Sequence, residues 1–155
     1  RFTACNLPNT FAAGDVAVTY DPVSSERIVT ALWTNAVEMG RCAGKNMAGV
    51  KTAYSGTFGI LNATQVADEP FVSMGQVHTD KGGFEVHCCS SDKYYRKIVF
   101  DKTGDKLICA VFVGDIYNAG MYRYVIREKM DINSIKNHII NHSLHYGHLL
   151  NNRQK

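Results

Sequence analysis

The chain has 155 residues, 45% of them hydrophobic, with 17 basic against 14 acidic side chains and a net charge of +3. That is the length of one domain, or of a domain plus part of another, with enough apolar mass for a buried core. Its interspersed charges exclude the clustered basic footprint of a nucleic-acid binder, no run nears the roughly 18 apolar residues of a membrane span, and no basic start leads into a signal core.

In chain order, residues 1–9 carry Asn6, Pro8 and Asn9 and read as a loop. Phe11 to Ala13 is a short strand candidate stopped by Gly14, and Asp15 follows at once. After Asp21-Pro22 the pattern predicts a long helix, with Ser24 or Ser25 as cap and Glu26 in its first turn. The apolar set Ile28, Leu32, Ala36, Met39, Ala43 and Met47 keeps helical spacing, Gly40 and Gly44 would admit another backbone, and Gly49 is the stop. From Tyr54 the period changes. Two extended stretches flank Asp68-Glu69-Pro70, and then "GFEVHCCSS", "YYRKIVFDK" and "KLICAVFVG" predict a three-stranded antiparallel meander with a turn at Thr103-Gly104-Asp105. Two helices follow, over Ala119–Lys129 and Ile132–His145, the second capped by Asp131 or Asn133. Asp115 reads as the turn or cap before the first of them.

Strands grouped before helices make the fold class α+β: an antiparallel β-meander with C-terminal helices, preceded by a strand-turn-helix segment. The change of pattern near "GVKTAYSG" divides residues 1–50 from 51–155. The five cysteines include no C-x-x-C pair and sit mostly in apolar contexts, so they read as reduced thiols of a cytoplasmic protein. Cys88 and Cys89 would point to opposite faces of a strand.

"TFAAGDVA" followed by "ALWTNAVEMGRCAGKNMAG" resembles the second flavin-binding segment of the pyridine nucleotide–disulfide oxidoreductase superfamily, in its NADH-dependent rubredoxin reductase and nitrite reductase-like branch. The shared pattern is Ala13-Gly14-Asp15, then Ala36, Gly40, Ala43, Asn46 and Gly49 along a helix. The stretch from Tyr94 to Ile132, with its Val-Gly-Asp turn, is similar to that branch's C-terminal domain. The resemblance implies that Gly14 permits a tight backbone turn at the flavin and that Asp15 accepts a hydrogen bond from a ribityl hydroxyl. It further implies that the helix N-terminus points at the ligand and that Trp33, Thr34 and Asn35 lie along the pyrimidine edge, where reduced flavin gathers negative charge. Many relatives carry proline after the tryptophan, where this chain has Thr34.

Neither dinucleotide-binding G-x-G-x-x-G turn of that family occurs in the sequence, and no His-Pro pair is present for dithiol chemistry. The resemblance therefore implies the last third of a FAD-dependent NAD(P)H oxidoreductase, inactive alone: a returning FAD segment and a C-terminal cap and dimerisation domain. FAD would belong to the whole protein, NAD(P)H would bind a domain this chain lacks, and the electrons would pass to a small redox protein or small acceptor. For the chain itself the partner implied is a second copy, as a homodimer.

Two other readings stand beside this one. Trp33 on its own reads as a packed core or interface aromatic, and the tyrosine-rich second half suits an interface or ordinary sheet packing. His138, His142 and His145 fall on one face of a continuous helix, with His148 beyond Gly147. That makes either a solvated polar stripe or a metal-binding face, although no Glu completes an H-E-x-x-H motif. A non-catalytic dimerisation module is the remaining alternative.

Overall fold

Strand β7, Leu107–Val113 (LICAVFV), is apolar at every position and buried along nearly its whole length. A strand of that composition belongs in the middle of a sheet with both faces covered, and there it lies. The computed structural model describes residues 3–21, 25–56, 60–77 and 82–153. Its principal sheet has five strands in the order β3-β4-β7-β6-β5, from β3 (Ile60–Val66), β4 (Glu69–Gly75), β5 (Glu85–Ser91), β6 (Tyr94–Phe100) and β7. The predicted meander is thus β5-β6-β7, and β4 adds antiparallel to the far side of β7 with Ser73 opposite Val111.

The turns follow local chemistry. Ala67 and Asp68, both at positive φ, close the β3–β4 hairpin, so Glu69 and Pro70 belong to β4 instead of the turn. In the β6–β7 hairpin, Asp101 Oδ1 accepts hydrogen bonds from Thr103 Oγ1 and from the amides of Asp105 and Lys106. Gly114 ends β7 at φ +78°, where a Cβ would stand 2.2 Å from the carbonyl oxygen of Lys93.

Three helices follow the sheet instead of two: α2 (Ala119–Arg127), α3 (Lys136–Ile140) and α4 (Tyr146–Arg153). The helix expected over Ile132–His145 is interrupted at His142, which adopts φ +56°. The amide of His142 bonds to Ile139 O and that of Ser143 to His138 O, so α3 ends in a Schellman turn with histidine in the place glycine usually fills. Asp131 caps no helix; it accepts the amide of Asn133 in a local turn, and Ile135 precedes α3 without a side-chain cap. Phe100, Phe112, Tyr122, Ile132, Ile139 and Leu144 are fully buried in this unit.

The chain divides into two units, residues 1–60 and 61–155; the sequence pattern had changed around residues 49–56. In the first unit the long helix α1 runs over Trp33–Met47, and does not start near Glu26 behind a cap at Ser24 or Ser25. Glu26–Val29 is instead strand β2, paired antiparallel with β1 (Val18–Asp21), and Ser25 sits in the turn between them at positive φ. Pro22 and Ser24 lie outside the described residues. The β-branched content of both segments outweighs the helical spacing of Ile28 and Leu32. The strand expected over Phe11–Ala13 reduces to one bridge, Ala4 with Phe11.

Helix α1 buries Asn35, Met39, Cys42 and Ala43, while Met47 is exposed. It stops as expected at Gly49, φ +83°, with Val50 N bonded to Lys45 O. Asn46 fastens the segment beyond the helix end: its Nδ2 donates to Cys42 O and Thr52 O, and its Oδ1 accepts the amide of Thr52.

Candidate functional site

Residues 14–16 form one turn of 3-10 helix, and Gly14 within it is buried at φ +81°. A Cβ there would lie 3.5 Å from Ala36 Cβ, an ordinary contact, so the turn packs on the first turns of α1 and it is the left-handed backbone, not a lack of space, that calls for glycine. Asp15 is thereby carried out to the surface, exposed, with no hydrogen bond or ion pair among the described residues.

The start of α1 is equally open. Leu32 occupies the cap position and offers no side-chain acceptor, while Ala36 N bonds to Leu32 O. The amides of Trp33 and Thr34 are therefore first-turn donors that an α-helix leaves without an internal partner. Trp33 is 84% exposed, which overturns the core half of its reading as a core or interface aromatic; Thr34 is exposed and Asn35 buried. The 14–16 turn thus lies against Ala36, one turn into the helix that residues 33–35 open. The result is an open wall: one unengaged carboxylate beside an uncapped helix start, whose partial positive charge favours an electron-rich ligand edge.

A cavity of about 950 Å3 in this unit is lined by Val16, Ala17, Tyr20, Arg27, Met39 and Tyr54 among others. None of the five candidate flavin residues lines it. Tyr54 keeps its hydroxyl buried there without a partner among the described residues, and burial, reinforced by Glu38 and Cys42, pushes its pKa up to about 12. Sequence reasoning passed over this tyrosine, since nothing in "KTAYSG" marks a buried phenol.

The histidine face expected in the second unit is not built. His142 turns inward at the break after α3, whereas His138, His145 and His148 stack on one another outside, with ring centroids 3.7 Å apart for His138–His148 and 3.5 Å for His145–His148. His138 Nδ1 meets Ser143 Oγ, and the amide of His145 donates to His148 Nδ1. Stacked rings do not converge on one ion, and no group of three His, Cys, Asp or Glu that could hold a metal occurs among the described residues.

All five cysteines are free thiols, as their spacing implied. Only Cys42 and Cys109 are buried, and Cys5, Cys88 and Cys89 are exposed. Cys88 and Cys89 do point to opposite faces, toward the hydroxyls of Tyr95 and Tyr94 respectively. Asp115 forms the expected turn, accepting the amide of Tyr117, while Asn118 precedes α2. Gly40 and Gly44 have nothing within 4 Å of where a Cβ would stand, so the expected backbone approach is not present. No helix among the described residues is long and apolar enough to cross a membrane.

No protein-family model and no curated protein matches the sequence. Solved structures do. A pyridine nucleotide-disulfide family oxidoreductase from Enterococcus faecalis V583 superposes with a TM-score of 0.69 at 17% identity, over 86% of this chain and 35% of that one. NADH:rubredoxin oxidoreductase from Clostridium acetobutylicum matches 97% of this chain and 35% of its own, with a TM-score of 0.65 at 20% identity. A NAD-dependent persulfide reductase from A. fulgidus matches 82% of this chain and 27% of its own, with a TM-score of 0.66 at 22% identity. The α+β fold is thus that of the C-terminal part of such oxidoreductases, and the chain spans about a third of the length of the proteins it matches.

Proposed function

We propose that these residues work as the C-terminal portion of a FAD-dependent NAD(P)H oxidoreductase, in which the first unit supplies one wall of the flavin site. The observation that carries this reading is the docking of the Gly14 turn on the uncapped start of α1, within a fold shared with such oxidoreductases over 86% and 97% of the chain.

The residues present fit the group. Gly14 gives the backbone a turn that a side chain would strain, Asp15 offers an unengaged carboxylate, and α1 presents its first-turn amides. Asp15 would accept a hydrogen bond from a ribityl hydroxyl. The amides of Trp33 and Thr34, with Asn35 next to them, would face the pyrimidine edge, where the helix dipole favours negative charge. The exposed indole of Trp33 offers apolar cover beside them. When bound, the flavin supplies the transfer of electrons from NAD(P)H to an acceptor. Absence of a G-x-G-x-x-G turn from the sequence leaves the pyrophosphate to be held elsewhere. The second unit acts as the cap and self-association domain, with a redox protein or small acceptor as the partner of the whole enzyme.

Trp33 is the single tryptophan of the chain, so its fluorescence reports on this wall alone. Titration with FAD is expected to quench it weakly, without stoichiometric retention of flavin. Asp15→Ala should weaken that binding about tenfold to a hundredfold, the value of a hydrogen bond to a charged group. Unaltered fluorescence at saturating FAD, or equal binding by the variant, refutes the assignment. So does a parent polypeptide that, translated in full, holds neither dinucleotide-binding turn.

A further inference from the structure

His142 is the one histidine of the C-terminal corner that faces inward, its side chain only 6% exposed. Its ring lies against Phe112 of β7, with centroids 5.1 Å apart, and stacks on Tyr122 of α2 at 5.6 Å. Tyr122 Oη sits 3.0 Å from His142 Nδ1 and 3.2 Å from Ile139 O. The carbonyl can only accept, so when the phenol donates to it, Nδ1 carries the imidazole proton and donates to Oη. His142 Nε2 is then a bare lone pair, with no hydrogen-bond partner among the described residues. The nearest acid, Asp115 Oδ2, is 3.8 Å away and already holds Arg96. Arg96 Nε is likewise buried without a partner among the described residues.

We propose that His142 is a proton-sensitive latch: its neutral ring holds the α3–α4 corner against β7 and α2, and uptake of a proton releases that corner. The backbone supports this. His142 holds φ +56°, a left-handed conformation that costs an L-residue free energy and persists only where packing compensates. Freed from its slot between Phe112 and Tyr122, the residue has no reason to keep that turn.

Arg96 of β6, Asp115 of the β7–α2 turn and Tyr122 of α2 are the charged and titratable groups that face the ring. Burial, and then the Arg96 guanidinium, lower the pKa of His142; Asp115 and the main chain of Tyr117 oppose them less strongly. A group depressed on folding contributes stability that is complete above its unfolded value, about 6.5 for histidine. That contribution is lost as the pH falls toward the lower value in the fold. Each pH unit between the two reduces the ratio of closed to open corner by about tenfold.

The test is hydrogen exchange of residues 138–149, corrected for intrinsic rates, between pH 7.5 and 5, with NMR titration of the His142 ring. In wild type the ring should stay neutral below pH 6.5 while protection of the corner falls. His142→Phe fills the same slot without a proton site and should make protection independent of pH. His148→Ala removes the middle ring of the exposed stack and should leave the wild-type response intact. The proposal is overturned if His142 titrates at or above 6.5, if wild-type protection does not change with pH, or if His148→Ala abolishes the response. Should His142→Phe fail to fold, the wild-type titration decides alone.

Discussion

Replacing Gly114 by alanine tests whether the end of β7 is as tightly seated as its geometry implies. The residue stands at φ +78° and donates its amide to Pro70 O on β4, while the space a Cβ would take is 2.2 Å from Lys93 O and 3.3 Å from Tyr94 Cα. Both obstacles are backbone, so no rotamer change relieves them; the β5–β6 turn must retreat by roughly an ångström to reach ordinary contact. Left-handed φ costs an alanine about 1–2 kcal/mol and overpacking about 1–3 kcal/mol more. A loss near 3 kcal/mol lowers the melting temperature of a 60–100-residue unit by roughly 12–24 °C. Near-UV circular dichroism is the assay, because six of the eight tyrosines lie after residue 60 and report on the second unit. Gly120→Ala is the matched control: it lies in α2 with nothing within 4 Å of a Cβ, and should stabilise by about 0.5–1 kcal/mol. A Gly114→Ala protein melting within a few degrees of wild type refutes the steric reasoning.

Thiol reactivity should divide with burial: alkylation at pH 8 followed by mass spectrometry should label Cys5, Cys88 and Cys89 quickly and spare Cys109, whose thiol burial pushes up to about 11. Truncating Leu144→Ala, fully buried beside the latch, should cost about 2–5 kcal/mol in denaturant unfolding without a change in pH dependence between 7.5 and 6.5. Asp101→Ala removes the acceptor of three hydrogen bonds in the β6–β7 hairpin and should cost about 1–2 kcal/mol, read as a lower urea midpoint at constant slope.

The strands of the second unit were legible because their pattern has one reading. "LICAVFV" is apolar throughout and can only be central, "YYRKIVF" is rich in aromatic and β-branched residues, and Thr103-Gly104-Asp105 can only turn. Where two periods compete, the sequence misleads. Ile28 and Leu32 have helical spacing, yet Val18-Thr19 and Ile28-Val29 prefer a ladder, and cross-strand pairs such as Thr19 with Ile28 settle it. The histidine run fits a helix equally well on paper. Its break depends on a slot between Phe112 and Tyr122, residues twenty or more positions upstream, so no local rule could reveal it. At the candidate flavin wall, Gly14 announced its own turn, but the true start of α1 did not: Leu32 is no cap, and the missing cap is the feature that leaves the first turn open.

That open start bears on how the two units differ. Among the described residues, the buried apolar side chains of the first unit are Ala17, Met39, Cys42 and Ala43, which are small apart from the methionine. Val16, Val18, Tyr20, Val29, Trp33 and Val50 stand exposed on the same sixty residues. Side chains exposed in this way are the apolar surface that a covering partner would bury. Under the proposed function, cover comes from the flavin and the dinucleotide-binding fold that carries it. Amide exchange should then be fast across β1, β2 and the first turn of α1 in the isolated chain, and slow across β6 and β7. FAD alone should protect the start of α1 and leave β1 and β2 unchanged, because the cavity beside those strands is lined by none of the residues assigned to the flavin. Equal protection in both units without ligand would mean that the first unit is complete as it stands, and the exposed wall would then need another explanation.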